Sequence, residues 1–226
     1  MKRQLSLPTA SPDFSREAVL YAAGRTCVVG VDEAGRGPLA GPVVAGAAVL
    51  PRDFAIQFES RINDSKKLTH AVRVELAEII KQHAAWGLGV VSHEEIDEMN
   101  IRRASWDAMR RAVLDLAARF PQHSPDYVLA DGLAVKEMEW PWERDAIVKG
   151  DALCSSIAAA SILAKVARDE FMTEMEEQFP GYGFAKHKGY PTPAHYAALK
   201  ELGACEIHRR SFGPVKAEIL RRASAE

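Results

Sequence analysis

The stretch Val28-Val29-Gly30-Val31-Asp32-Glu33-Ala34-Gly35-Arg36-Gly37-Pro38-Leu39-Ala40-Gly41-Pro42 decides how the chain folds. A short apolar run ends in two adjacent carboxylates. A glycine-flanked arginine and a Pro/Gly-rich turn follow, and Val43-Val44-Ala45-Gly46-Ala47-Ala48-Val49-Leu50 resumes the apolar pattern. β-branched runs bounded by glycine and proline read as two strands joined by a loop, over about 26–32 and 42–50. The loop carries charge where a simple hairpin needs only Asn-Gly or Asp-Gly. Successive strand residues face opposite sides, so Asp32 and Glu33 are expected to share a site only if Glu33 lies past the strand end. The glycines at 35 and 37 permit such a bend and a close approach of backbone to ligand.

Working outward, Thr69 is a candidate cap for a helix in which Val72, Leu76, Ile79 and Ile80 fall on one face to about His83. Trp86-Gly87-Leu88-Gly89-Val90-Val91 reads as a third strand. Ser92 and Glu95 have the spacing of a capping box. Asn100 to about Phe120 has the period of an amphipathic helix. Tyr127-Val128-Leu129-Ala130 is a fourth strand ending at Asp131-Gly132, and Asp145-Ala146-Ile147-Val148 a fifth ending at Lys149-Gly150-Asp151. A helix from Ala152 to about Gln178 opens with small residues that suit close packing on a sheet. Helices over about 193–202 and 214–223 complete the chain. The pattern is α/β, with a mixed five-stranded sheet flanked by helices and a C-terminal helical extension. The expected division is a flexible arm over 1–20, a catalytic domain over 21–180, and a basic extension over 181–226.

The 226 residues are 47% hydrophobic and 27% charged, which argues against a disordered or membrane protein. The net charge of -2 hides a local bias: from Gly181 onward, eight Lys/Arg stand against four Glu, with aromatic residues interleaved. Such a segment is either a solvated surface or a face for a polyanion. Cys27, Cys154 and Cys205 lie in or beside apolar runs and are expected to be reduced core residues. The N-terminus lacks a hydrophobic signal core, and no apolar run approaches the roughly 18 residues of a membrane span, so a cytoplasmic protein is expected.

Three strands end in carboxylates: Asp32-Glu33, Asp131 and Asp151. Strand ends of one sheet can lie side by side, and acids gathered there repel one another unless a cation joins them. Oxygen ligands without accompanying Cys or His favour Mg²⁺ or Mn²⁺, as one or two ions, over zinc. Each acid also has a plainer role: Asp131-Gly132 is a common turn signal, Asp151 suits the cap of the following helix, and Asp32-Glu33 suits a solvated loop. No Gly-Lys-Ser/Thr follows the glycines at the spacing of a P-loop.

The segment Val31 to Val43 resembles the opening signature of bacterial ribonuclease HII, a type 2 ribonuclease H. Later segments agree in order: Asp64-Ser65-Lys66-Lys67-Leu68, Asp131-Gly132, Lys149-Gly150-Asp151, Ala158 to Val166 with Arg168-Asp169, Gly181-Tyr182-Gly183-Phe184 through His187-Lys188-Gly189-Tyr190-Pro191-Thr192, and His208-Arg209-Arg210-Ser211-Phe212. The resemblance covers about residues 26–215. It implies an RNase H-like fold and cleavage of the RNA strand in RNA–DNA hybrids, leaving 5′-phosphate and 3′-hydroxyl ends. DNA duplexes containing ribonucleotides are implied partners as well. Asp32, Glu33, Asp131 and Asp151 match the family's catalytic, metal-binding acids. Gly35, Arg36 and Gly37 match the element that reads a ribose 2′-hydroxyl, and Tyr190 the tyrosine that packs on the next sugar. Lys66 and Lys188 are expected phosphate contacts, whereas Asp169 and the four tryptophans are expected to be structural. Two rivals are a binding-only reader of hybrids, which loss of an acid would favour, and another metal-dependent phosphotransferase, which would have no use for the ribose-reading loop. The protein is expected to be a monomer without membrane contact.

Overall fold

The computed structural model describes residues 11–51, 53, 68–132 and 139–224. Five strands form one sheet: β1 (Val28–Ala34), β2 (Val43–Val49), β3 (Ala85–Val91), β4 (Tyr127–Asp131) and β5 (Glu143–Ile147), in the order β3-β2-β1-β4-β5. β1 pairs antiparallel with β2 and β2 with β3, while β1, β4 and β5 run parallel. β2 is buried at every position, as expected of a strand covered on both faces.

Two long helices cover the sheet. The first, α4 (Ile101–Arg119), crosses β3 at glycines, where a Cβ on Gly89 would meet the Ala108 carbonyl oxygen at 2.0 Å. The second, α5 (Ser155–Gln178), lies on the other face, where a Cβ on Gly46 would meet the Ala160 carbonyl oxygen at 2.3 Å. The stripe Ala158-Ala159-Ala160 therefore seats α5 against strand backbone, and the two largest apolar clusters lie one with α4 and one with α5. Trp106 and Trp140 pack in the α4 cluster with ring centroids 4.8 Å apart, a packing role as expected. Among the described residues, no helix is long and apolar enough to cross a membrane, and the three cysteines are unpaired.

The shorter helices are α1 (Ser15–Ala22), α2 (His70–His83), α3 (His93–Met99), α6 (Phe184–His187), α7 (Pro193–Leu202) and α8 (Gly213–Ala223). Thr69 caps α2, and Ser92 with Glu95 completes a capping box on α3. The expected arm over 1–20 is corrected at its C-terminal end. Glu17 on α1 is 1% exposed and accepts hydrogen bonds from the Ser156 amide and hydroxyl, at 2.9 and 2.6 Å. A buried carboxylate with two donors pins that helix to the start of α5. Residues on both sides of position 180 share one buried cluster, in which Met172 and Met175 meet Tyr182, Phe184 and Ile207.

Two boundaries that bear on the acids differ from the sequence reading. β1 extends to Ala34, so Glu33 lies inside the strand, opposite Ala45. α5 starts at Ser155 rather than Ala152, because Gly150–Ala152 forms a separate one-turn 3₁₀ helix. Cys154 occupies the cap position of α5, so Asp151 does not cap that helix.

Candidate active site

β1 outruns its parallel neighbour, and the site sits where it does so. Pairing between β1 and β4 stops at Val31 opposite Ala130, whereas β1 continues to Ala34. Past Val31 that edge of β1 is open. Asp32 and Glu33 belong to opposite faces by strand alternation, yet both line one cavity of about 190 Å³. Glu33 lines the cavity from within the strand, so the bend expected before it is unnecessary. Asp131, at the end of β4, lines the same cavity, as do Gly35, Arg36, Gly37 and Tyr190.

Asp32 is 4% exposed, and its Oδ1 accepts the Glu33 amide at 2.7 Å. Burial raises its carboxyl well above the usual range, and the neighbouring charges of Glu33 and Asp131 push the same way. Burial likewise pushes Glu33 up to about 7, against the opposing charge of Arg36, whose Nη1 donates to Oε1 at 3.2 Å. The second oxygen, Oε2, is buried with no hydrogen-bond partner. Asp131 Oδ1 accepts the Gly150 amide at 2.6 Å. Through that bond the 3₁₀ turn carrying Asp151 is tied to Asp131, although Asp151, 5% exposed, does not line the cavity.

These acids fit a hard divalent cation. The donor set is all oxygen, burial and then neighbouring carboxylates raise the Asp32 carboxyl, and one buried carboxylate oxygen, Glu33 Oε2, lacks a partner. Among the described residues no three His, Cys, Asp or Glu side chains are grouped so as to hold a metal ion as they stand, with Asp131 Oδ1 on the Gly150 amide and Glu33 Oε1 on Arg36.

Tyr190 is 40% exposed and stands across the cavity from the glycine loop; a Cβ on Gly37 would come within 3.7 Å of its Cε1. Its peptide is held by a chain of neutral imidazoles. The Cys205 amide donates to His208 Nδ1 at 3.0 Å, so the His208 proton sits on Nε2. Nε2–H faces His195 Nε2 at 3.1 Å, and His195 Nδ1–H then donates to the Tyr190 carbonyl at 3.0 Å. Burial lowers His195 and takes His208 down to about 4, which keeps both rings neutral. The histidines are thus structural rather than metal ligands.

Lys188 is the left-handed residue that ends α6, and its Nζ bonds Thr173 Oγ1. It lines a second groove, of about 500 Å³, with Arg73 and Lys186; Lys165 and Tyr190 belong to both openings. Lys66 lies outside the described residues. Asp169 pairs with Lys165 at 2.6 Å and with Arg73 at 3.9 Å, the structural role expected of it. The basic tail is less available than its composition suggests. Arg209 is fully buried, and Arg221 and Arg222 are engaged by Glu218.

Ser161 and Lys165 line the cavity without having been singled out from sequence. The signal was present: polar residues at 161, 165, 168 and 169 interrupt a small-residue helix at spacings of three and four, a single polar stripe.

The solved structures most like this one include the ribonuclease H2 of Pyrococcus horikoshii, with a TM-score of 0.65 at 27% identity, covering 87% of this chain and 98% of that one. The ribonuclease HII of Archaeoglobus fulgidus, solved in complex with PCNA, gives 0.66 at 26%, covering 83% and 96%. A Bst-RNase HIII solved with Mn²⁺ shares the fold at 0.66 and 17% identity, covering 88% and 71%. Among curated sequences, the ribonuclease HII of Moorella thermoacetica is 52% identical over 88% of this chain and 92% of its own length. That of Paracoccus denitrificans is 47% identical over 95% and 98%. The relatives from Myxococcus xanthus and an Anaeromyxobacter are longer, and the chain spans 66% and 61% of them at 52% and 51% identity. Residues 29–215 match the model of the ribonuclease HII family, and the chain belongs to that family.

Proposed function

We propose that this protein is a metal-dependent endoribonuclease. It hydrolyses the RNA strand of RNA–DNA hybrids and incises 5′ of single ribonucleotides embedded in DNA, leaving 5′-phosphate and 3′-hydroxyl ends. The observation that carries the reading is one small cavity in which Asp32, Glu33 and Asp131 face both the Gly35–Gly37 loop and Tyr190. Acids alone would fit many phosphotransferases; acids beside a backbone-exposing loop and an aromatic face fit a chemistry that must recognise ribose.

Asp32, Glu33, Asp131 and the adjoining Asp151 would hold Mg²⁺ or Mn²⁺. A divalent ion there supplies activation of the attacking water and neutralises charge on the leaving oxygen in phosphodiester hydrolysis. The chain's own residues supply the selection. Gly35, Arg36 and Gly37 present backbone groups to a 2′-hydroxyl, the one group that distinguishes RNA from DNA at a given sugar. Three residues span one or two sugars at most. Tyr190 offers an apolar face to the next sugar, where a 2′-hydroxyl buried without a partner is penalised. One ribose upstream and deoxyribose downstream therefore define a junction reader. Lys66, Lys188 and the groove that Lys188 lines carry phosphate contacts, which are independent of sequence and sensitive to salt. The protein acts as a cytoplasmic monomer.

The test is digestion of duplexes that differ only in their number of ribonucleotides, in Mg²⁺, in Mn²⁺ and in EDTA, with product ends mapped. Cleavage 5′ of a lone ribonucleotide that disappears in EDTA is expected. A requirement for four or more consecutive ribonucleotides would refute junction reading, and cleavage undiminished by EDTA would refute the metal mechanism.

A further inference from the structure

The loop that lines the cavity rests on two buried arginines. Arg209 Nη2 donates to the carbonyls of Gly35 at 2.6 Å and Pro42 at 3.1 Å. Its Nη1 donates to Arg36 at 3.1 Å and Pro38 at 2.9 Å, and its Nε to Gly41 at 2.9 Å. Arg168 Nε donates to Pro42 at 3.0 Å and Nη2 to Ala40 at 3.1 Å. Six of the eight carbonyls from Gly35 to Pro42 are therefore turned onto two guanidiniums. The remaining Arg168 nitrogen, Nη1, donates to the Lys188 carbonyl at 3.0 Å, two residues before Tyr190. The Leu39 amide meets the Gly189 carbonyl at 2.8 Å. Arg168 thus joins the glycine loop to the tyrosine segment.

Two features separate this arrangement from ordinary core packing. Both side chains have 0% exposure, and among the described residues neither makes an ion pair with a carboxylate. Burial takes Arg168 to about 10 and Arg209 to about 9, so both remain cationic at neutral pH. Burying unpaired guanidiniums is costly, and apolar residues of similar volume would serve stability at least as well. The second feature is direction. The C=O and N–H of one trans peptide point opposite ways. Turning the Gly35 and Arg36 carbonyls onto Arg209 turns the Arg36 and Gly37 amides away from it, and both residues line the cavity.

We infer that Arg168 and Arg209 are positioning residues for ribose recognition, fixing the Gly35–Gly37 loop and the Tyr190 segment in one arrangement with the Arg36 and Gly37 amides presented to the substrate. The inference rests on the reading of that loop as the ribose reader, and the test separates the two. Equilibrium binding is measured in Ca²⁺ to two duplexes that differ by one ribonucleotide, for wild type, Arg168→Lys and Arg209→Lys. Lysine keeps the charge and loses the fork that spans several carbonyls. The wild type is expected to prefer the ribonucleotide duplex. Each variant is expected to lose roughly tenfold of that preference, the scale of a displaced hydrogen-bonding group. Its affinity for the all-DNA duplex, set by phosphate contacts, should stay within about twofold. Retained preference in both folded variants overturns the positioning role alone. A wild type without preference overturns the ribose reading together with it. Variants that are unfolded by circular dichroism at the assay temperature also overturn it, because the arginines would then serve the core as a whole.

Discussion

Gly35 and Gly37 look alike in sequence, and the structure predicts that alanine at the two positions has opposite consequences. Gly35 is buried at φ +103°, and a Cβ there would lie 2.1 Å from Arg168 Nε, 2.5 Å from its Cδ and 2.8 Å from the Pro42 carbonyl oxygen. The left-handed backbone costs an L-residue roughly 1–2 kcal/mol. Contact at 2.1 Å forces the Arg168 guanidinium away from the carbonyls of Pro42, Ala40 and Lys188. Losing even one charge-assisted bond of that set adds roughly 1.5–3 kcal/mol. Gly35→Ala should therefore lose roughly 4 kcal/mol, a large share of the roughly 5–15 kcal/mol that holds a domain together. For a chain of this size that corresponds to a fall of roughly 8–16 °C in Tm. Gly37 has no positive φ and is exposed, and its added Cβ would make only ordinary contact with Tyr190 at 3.7 Å. Gly37→Ala should change stability by less than about 0.5 kcal/mol, as surface substitutions do, while placing a methyl group on the cavity wall. Urea unfolding and calorimetry of both variants decide the matter. A Gly35→Ala protein within about 1 kcal/mol of wild type, or equal losses at the two positions, would refute the claim that the arginine tether fixes this loop.

Asp131→Asn is expected to abolish Mg²⁺-dependent cleavage with the fold intact, because the carboxylate at the end of β4 faces Asp32 across the cavity; near-wild-type rates would remove it from the site. Hybrid binding should weaken steeply with salt, and Lys188→Ala should lower the log–log slope by about one; an unchanged slope would take Lys188 out of phosphate binding. His208 should stay neutral with its proton on Nε2 until the pH nears about 4, read from imidazole nitrogen shifts, and a midpoint near 6.5 would refute the relay. Its folded-state value is depressed, so the unfolded chain binds the proton first. Its contribution to stability is complete above about 6.5 and is lost as the pH falls toward 4.

The fold was legible because periodicity reports burial. The apolar runs of β2 and β3 needed no tertiary information, and Thr69, Ser92 and Glu95 marked helix starts by their own chemistry. Strand-end carboxylates stand out beside apolar runs, and Asp32 and Asp131 do share one cavity, whereas Glu33 lies inside β1 and Asp151 on a 3₁₀ turn outside the cavity lining. Two features were hidden, the first because it depends on relative register. That β1 outruns β4 at Asp32 and Glu33 depends on where two strands separated by almost a hundred residues are paired. Arg209 was hidden for a different reason. In sequence it stands in a basic segment and counts as surface charge, whereas in space its guanidinium lies under a loop more than 160 residues earlier. Composition cannot distinguish a cation that meets phosphate from one that meets carbonyls.

On the proposed function, that distinction bears on how a chain of net charge -2 would bring together an acidic centre and a polyanion. The charges are sorted by depth. Asp32 and Glu33 are buried, and burial with the neighbouring carboxylates raises both carboxyls, a cost that a cation joining them would relieve. Arg168 and Arg209 are buried on the far side of the loop, where carbonyl dipoles solvate them and, among the described residues, no carboxylate forms a direct ion pair with either. A nucleic-acid backbone approaching the cavity thus meets amides backed by two fixed cations rather than mobile lysines alone. Screening by salt weakens exposed pairs far more than buried ones. On the proposed function, cations placed under the loop should therefore make ribose selection less dependent on ionic strength than overall affinity. Raising the salt should weaken binding to both members of the duplex pair while leaving the ratio between them nearly unchanged, and a ratio that falls in step with affinity would show that the buried arginines do not support the reader.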